Sequence, residues 1–355
     1  MNKFKIGKKI ISDNKPTYFI ADIGANHDGS LEKAKELIYL CAESGADAAK
    51  FQHFSAKTIV SDFGFKSLKG KFSHQSKWKK SVFEVYQDAS INLNWTRVLK
   101  KTCEKVGIEF FSSPYSYEMV NHLNPFVSTF KIGSGDITWL DYLEFISKKN
   151  KPIILATGAS TLREVKLATN KILKKNKKLV LMQCNTNYTA SNNNLNYVNL
   201  NVLKIYKKLF PKIILGLSDH TFGHTAVLGA VTLGARVIEK HFTDDNKRTG
   251  PDHKFSMNPI TWKNMVNATR ELELTLGSSL KKIEKNENQT VILQRRSIRL
   301  KSSIDKNQVI RKDNLVFLRP CPKDAYLLEN YKNIIGKKAK RKIKSGDYIK
   351  KSDFR

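Results

Sequence analysis

Two apolar runs of this sequence end in the same kinds of residue. "IILGLSDHT" closes on Asp219, His220 and Thr221, and "RVIEKHFT" carries Glu239, Lys240 and His241. Two imidazoles with carboxylates close by are the ligand types of a divalent ion that keeps positions open for water or substrate. The mixed nitrogen and oxygen set points to Mn2+, with Mg2+ or Co2+ as alternatives, rather than to structural zinc, which wants thiolates. The other reading of each histidine is a hydrogen-bonded structural residue. Two lysines also stand inside apolar runs, Lys50 in "DAAKFQHF" and Lys131 in "TFKIGSGD". A buried ammonium needs an anion. That anion is an internal carboxylate (Asp22, Asp136 or Glu239) or the carboxylate or phosphate of a substrate. "KIGSGD" adds Ser134 and glycine N–H groups, which suit phosphate oxygens.

Something must bring these residues together. Eight runs read as strands: Tyr18–Gly24, Asp47–Phe54, Ile108–Tyr115, Thr129–Asp136, Pro152–Gly158, Leu179–Asn185, Ile213–Asp219 and Arg236–Phe242. Helical stretches lie between them, such as "SLEKAKELIYLCAESG", with a Ser N-cap, an early Glu and a closing Gly. Near-continuous apolar strands alternating with helices predict a parallel sheet covered on both faces. Eight such units predict a (β/α)8 TIM barrel over residues 1–277. An open doubly wound sheet would show a GxGxxG turn after its first strand, and "IGANHDGS" is not one. The active site of such a barrel lies at the C-terminal strand ends. Those ends carry Asp22 and Asn26, Lys50 and Gln52, Ser112 and Ser113, Lys131, Ser134 and Asp136, Thr157, Gln183, Asn185 and Asn187, Asp219 and His220, and Glu239, Lys240 and His241. Every run turns polar at the same end, and strands seven and eight would place His220 beside His241.

A polar linker, 278–293, follows the barrel, and 294–355 reads as a small separate domain of short apolar pieces joined by polar turns. The chain has 355 residues and a formal charge of +31, with 63 Lys and Arg against 32 Asp and Glu. The lysines are spread along helix-like faces, which favours a solvated basic surface over a nucleic-acid site. Residues 331–355 concentrate ten Lys/Arg against two Asp, a charge that can attract anions. No run reaches 18 apolar residues, no signal-peptide pattern opens the chain, and the four cysteines lack CxxC spacing. A cytoplasmic protein with reduced thiols is expected.

"FIADIGANHDGSLEKAKELI", "GADAAKFQ", "FFSSPY", "FKIGSGD", "PIILATGAS", "GLSDHT", "IEKHFT" and "GPDHKFSM" follow in order. Together they resemble the sialic acid (nonulosonic acid) synthases. The remainder resembles that family's C-terminal antifreeze-protein-like (SAF) domain. The resemblance implies condensation of phosphoenolpyruvate with the open-chain aldehyde of an N-acylated hexosamine, of the N-acetylmannosamine type. The product is a nine-carbon 3-deoxy-2-keto acid. It implies a divalent metal at His220 and His241 and phosphoenolpyruvate held by Lys50, Ser113, Lys131, Ser134, Thr157 and Asn187. Gln52, Tyr188 and Asp252 would hold the sugar, with Glu239 among the substrate-binding residues. A homodimer is implied in which Arg319 reaches the partner's site. Asp22 and Asp136 stand where the family has Glu, "RPC" replaces "RPG", and the family's asparagine in the strand 2–3 loop has no clear counterpart, His74 and Gln75 being the candidates.

Two other functions compete. One is a related synthase that makes a shorter keto acid from a phosphorylated aldose; the SAF-like tail argues against it. The other is a basic nucleic-acid-binding protein, which would interleave aromatics with its basic residues. The basic C-terminus offers only Tyr331, Tyr348 and Phe354.

Overall fold

The computed structural model describes residues 3–68, 78 and 80–355; His74 and Gln75 lie outside the described residues. An antiparallel hairpin opens the chain, β1 (Lys3–Ile6) and β2 (Lys9–Ser12). The eight expected strands follow as β3 (Tyr18–Asp22), β4 (Ala48–His53), β5 (Glu109–Pro114), β6 (Phe130–Ile132), β7 (Ile153–Ala156), β8 (Leu179–Cys184), β9 (Ile214–Asp219) and β10 (Ala235–His241). They form one parallel sheet in the order β5-β4-β3-β10-β9-β8-β7-β6. Its two outer strands, β5 and β6, lie side by side, so the sheet curls into a barrel. The hairpin was not legible as strands: four of the ten residues of "KFKIGKKIIS" are lysine, and only Ile6, Ile11 and Ser12 of its strands are buried.

Helices separate the strands. The first, α1 (Leu31–Glu43), starts where Ser30 accepts the Lys33 N–H at 3.2 Å and buries Ala34, Leu37, Ile38 and Cys41. That is the i, i+3, i+4, i+7 stripe its sequence carries. The long last helix of the barrel, Pro259–Leu276, has Pro at its first turn and an Asn258–Thr261 capping box. Trp262 is its fully buried anchor, against Phe242 just past β10.

The chain divides into two compact units, Met1–Gly277 and Ser278–Arg355. The second has its own core, which includes Ile304, Ile310, Leu315, Ile343, Ile349 and Phe354. "IDKNQVIRKDNL" and "IKSGDYIKKSDF" are two copies of one turn. Each buries its first, seventh and last residues, and each passes its fourth through positive φ, Asn307 at 70° and Gly346 at 78°. Asn and Gly are the residues that tolerate that conformation.

Candidate active site

Register sets the site. Asp22 on β3 is level with Lys50 on β4 and with His241 on β10. Gln52 on β4 is level with Ser113 on β5. Side chains alternate across a strand, so Lys50, Gln52, Ser113, Lys131, Ser218, Glu239 and His241 face the barrel axis. Their neighbours Ser112, Gln183, Asp219 and Lys240 turn to the helix layer. Ser112 bonds His53, and Gln183 donates to the Val198 carbonyl at 2.9 Å. Lys240 pairs with Asp219, whose carboxylate also accepts from the Thr221 hydroxyl at 2.9 Å. Asp219 therefore does not stand with the histidines, as its place in the sequence suggested; counting parity back from the strand end would have shown this.

The barrel floor holds four ionisable side chains, each under 5 % exposed: Asp22, Lys50, Lys131 and Glu239. Lys50 lies 2.7 Å from Asp22 and 3.9 Å from Glu239, and Lys131 lies 3.2 Å from Glu239. Burial would lower the Lys50 pKa, but Asp22 and Glu239 hold it raised; burial would raise that of Asp22, but Lys50 holds it lowered. Both are charged. Removing such groups from water costs several kcal/mol per ion, and apolar side chains of the same volume would serve stability as well or better. Hydrogen bonding is also incomplete here. Asp22 Oδ1, Ser113 Oγ, Glu239 Oε2 and His241 Nδ1 are buried without a hydrogen-bond partner. Such atoms are costly to leave bare, so they suit the polar groups of a ligand or ordered water.

His220 and His241 meet above this floor with ring centroids 5.5 Å apart. Tyr188 and Phe255 pack edge-on against them, at 4.5 Å from His220 and 5.0 Å from His241 respectively. The Asn185 carbonyl, 3.0 Å from His220 Nδ1, accepts from it. Burial lowers the His241 pKa against the opposing pull of Asp22 and Asp252, so that ring is neutral. Burial would also lower that of His220, but the neighbouring Cys184 thiol holds it raised. A nitrogen of each ring could serve one divalent ion. Among the described residues no group of three or more His, Cys, Asp or Glu is arranged as a metal cage. The remaining ligands would be substrate and water oxygens.

Two joined compartments open at this point. The deep one, of about 40 Å³, takes in the floor with Gly133, Ser134, Cys184 and Ser218. The outer one, of about 140 Å³, is walled by Phe54, Ile59, Trp78, Val85, Tyr86 and Pro251, with Asp252 as its carboxylate. Gln52, Tyr115, Tyr188 and His241 line both. Asp252 reaches the boundary because Gly24, at φ 51°, leaves room; a Cβ there would fall 2.9 Å from Asp252 Oδ2.

Several expected residues lie elsewhere. Thr157 and Asn187 line neither compartment: the Thr157 hydroxyl contacts the Met182 carbonyl and Tyr206, and Asn187 Oδ1 accepts from Thr189. Asp136 sits behind Ser134, with Oδ2 buried and unpartnered. Arg319 belongs to the second unit, exposed, with Nε donating to the Gln294 carbonyl at 2.6 Å. Ser218 and Tyr115 stand inside "GLSDHT" and "FFSSPY" but had no property there that singled them out, and Cys184 and the outer aromatics fall in no motif.

The NeuB family profile matches residues 37–281, and a SAF domain profile matches residues 295–355. This chain belongs to the NeuB family. Its members are enzymes that join phosphoenolpyruvate to a sugar by a new carbon–carbon bond, and this chain is one of them. It is 37 % identical over 341 residues to N,N'-diacetyllegionaminic acid synthase of Campylobacter jejuni, spanning 95 % of this chain and 99 % of that one. It is 32 % identical to human N-acetylneuraminate-9-phosphate synthase, spanning 94 % and 91 %. The crystal structure of N-acetylneuraminic acid (sialic acid) synthetase from Leptospira borgpetersenii, in complex with citrate, superposes with TM-score 0.71. It is 27 % identical and covers 82 % of this chain and 95 % of its own. The TIM barrel and SAF domain expected from sequence are those of this family. Among the described residues, no helix is long and apolar enough to cross a membrane.

Proposed function

We propose that this NeuB-family enzyme condenses phosphoenolpyruvate with the open-chain aldehyde of an unphosphorylated N-acylated hexosamine. The N-acetylmannosamine type is the reference acceptor, and a nine-carbon 3-deoxy-2-keto acid and inorganic phosphate are the products. Phosphoenolpyruvate occupies the deep compartment, where Lys50 and Lys131 keep N–H donors beyond those given to Asp22 and Glu239, and Ser113 and Ser134 supply hydroxyls. The sugar occupies the outer compartment, with its aldehyde at the boundary and its hydroxyls and amide on Gln52, Tyr188 and Asp252. A divalent ion at His220 and His241, Mn2+ or alternatively Mg2+ or Co2+, supplies polarisation of the aldehyde oxygen.

Carbon 3 of phosphoenolpyruvate bonds to the aldehyde carbon, whose oxygen takes up a proton. Water adds at carbon 2 and gives its proton to a floor carboxylate, Asp22 or Glu239. The C2–O bond to phosphate then breaks, phosphate leaves with the proton of the new carbon-2 hydroxyl, and the 2-keto group remains. The paired lysines balance the negative charge that grows on the departing phosphate. The single observation that carries this reading is the set of buried, unpartnered atoms of Asp22, Ser113 and Glu239 in the deep compartment and of His241 at its boundary with the outer one.

The acceptor's lack of phosphate rests on the outer wall. Among the described residues that line it there is no Lys or Arg, and its one full charge is the Asp252 carboxylate. A phosphosugar would bring a dianion to an apolar wall whose described residues offer no cation to meet it. The same wall suits a methyl or acyl group, which favours a second reading: a 6-deoxy-2,4-diamido hexosamine. The 37 % identity to a diacetyllegionaminic acid synthase supports it. We also read the enzyme as a cytoplasmic homodimer that binds no nucleic acid.

The test is phosphate release from phosphoenolpyruvate with N-acetylmannosamine, its 6-phosphate, or 2,4-diacetamido-2,4,6-trideoxymannose. Release is expected only with an unphosphorylated sugar. It should stop with a chelator and return with Mn2+, Mg2+ or Co2+. Turnover of the 6-phosphate defeats the acceptor reading, and full activity in chelated enzyme defeats the metal.

A further inference from the structure

The segment that carries Asp252 is tied down by a chain of groups that the reaction does not use. Its base is pinned by backbone: Thr243 N–H donates to the Met257 carbonyl at 2.9 Å, and Met257 N–H to the His241 carbonyl at 2.8 Å. Between these points the chain leaves β10 and returns. His253 stands at its centre, fully buried. Its Nε2 lies 3.0 Å from Asp28 Oδ1 and its Nδ1 lies 2.7 Å from Thr243 Oγ1. A carboxylate only accepts, so Nε2 carries the proton, and Nδ1 accepts from the Thr243 hydroxyl. Asp28 in turn takes two bonds from Arg248 on Oδ2, at 2.6 and 3.1 Å. The adjacent Asp252 turns the other way. Its Oδ2 is 3.3 Å from the Ala25 N–H and 3.6 Å from His241 Nδ1, at the boundary between the compartments.

Consecutive residues thus have opposite tasks: one is held, the other is aimed. We propose that His253, fixed between Asp28 and Thr243, is a positioning residue that sets Asp252 against the acceptor sugar. This rests on the reading that Asp252 faces the acceptor. Arg248–Asp28–His253–Thr243 acts as a strap whose far end is reachable from solvent, since Asp28 and Arg248 are both exposed. The backbone has been shaped for it. Asp28 sits at φ 50°, a conformation that Asp tolerates better than most residues. A Cβ on Gly250 would fall 2.6 Å from His253 Cδ2, so only glycine lets the imidazole lie flat under the segment.

The experiment uses the full-length enzyme with divalent metal and two acceptor probes, N-acetylmannosamine and 2,4-diacetamido-2,4,6-trideoxymannose. Asp252→Ala, His253→Ala and the double variant are compared for KM of acceptor, KM of phosphoenolpyruvate and kcat. His253→Ala should raise the acceptor KM about tenfold or more, the scale of a lost bond to a charged group. The phosphoenolpyruvate KM should stay within about threefold, and the double variant should be no worse than Asp252→Ala alone, as expected for residues acting as one unit. His253→Gln, which keeps an N–H toward Asp28, should recover part of the loss. Gly250→Ala and Asp28→Asn act on the strap without emptying the core, so they report even if His253→Ala does not fold. Each should shift the acceptor KM in the same direction. Multiplying effects in the double variant, or an equal rise in the phosphoenolpyruvate KM, overturn the strap. An unchanged acceptor KM in Asp252→Ala overturns the acceptor reading of Asp252, and the strap with it.

Discussion

Asp136 is the residue whose environment fits its chemistry least. Burial pushes its pKa up to about 6, partly opposed by Lys131, and its Oδ2 has no partner. Tyr115 and Tyr142 face it, and its charge helps to raise their pKa values. The sign follows from linkage. The folded pKa lies above the unfolded 3.8, so the folded state holds the proton longer. Stability from this group is fully present below pH 3.8 and is lost as pH rises through about 6. Asp136→Asn removes that loss. Its stability relative to the unchanged enzyme should grow by roughly 2–3 kcal/mol between pH 4 and pH 8, read from urea unfolding at each pH. A flat difference across that range would show that Asp136 is not held in its neutral form. Retention of such a group behind Ser134 fits a site kept for chemistry, where stabilising changes tend to cost function. At this scale the sequence was informative about type and poor about direction. Lys50, Lys131, His220 and His241 were legible because charge and imidazole inside apolar runs demand a reason. Asp219, Gln183 and Ser112 were misplaced because strand ends alternate in facing and the runs alone did not say which parity pointed inward.

The strands deliver these residues, and the layer behind them fixes the strands. His53 on β4 is the clearest case, and nothing in the sequence singled it out. It is fully buried, with Nδ1 2.8 Å from Ser112 on β5 and Nε2 2.9 Å from the Thr96 hydroxyl, which also lies 2.9 Å from His122. This network ties β4 to β5 directly behind Gln52 and Ser113, which line the site on the opposite face. Burial, with His122 and His27 nearby, lowers the His53 pKa to about 3. The unfolded imidazole takes its proton near 6.5, so acid favours the unfolded chain. Stability is lost as pH falls from 6.5 toward 3. His53→Gln does not titrate. Between pH 7 and pH 5 the unchanged enzyme should lose about 2 kcal/mol more than this variant. Equal losses would mean that His53 is protonated in the fold. Element by element, the eight barrel strands and their order were readable from apolar runs and caps. The N-terminal hairpin was not, because its lysines mask a pattern that buries so few residues. The outer wall of the site was not readable either: Phe54, Val85, Tyr86 and Pro251 come from loop and helix positions whose spacing repeats nothing.

At the scale of the molecule, the second unit has a core of its own and a basic surface, and its part in the reaction is our proposal. A unit of some 60–80 residues buries a modest core and gains from docking on another surface. Arg319 is exposed on it, and a guanidinium presents fixed donors suited to a carbonyl or carboxylate. If the enzyme is a two-fold dimer in which each Arg319 completes the partner's site, the two halves of a site can be damaged in different chains. Lys131→Ala should weaken phosphoenolpyruvate binding by roughly 2–5 kcal/mol, the loss of one partner to a desolvated anion, while Arg319→Ala leaves that binding intact. Each variant alone should turn over poorly. Mixed after subunit exchange, half of the dimers pair one chain of each kind. One site in each such dimer then has an intact Lys131 from one chain and an intact Arg319 from the other. Activity should return to about a quarter of the unaltered enzyme's. Removal of residues 278–355 should leave a folded barrel that still binds phosphoenolpyruvate, since the apolar core of 1–277 is separate. If mixing restores nothing while both variants are folded and exchanging, Arg319 acts within its own chain or not at all, and the basic second unit must be explained by what it attracts rather than by what it completes.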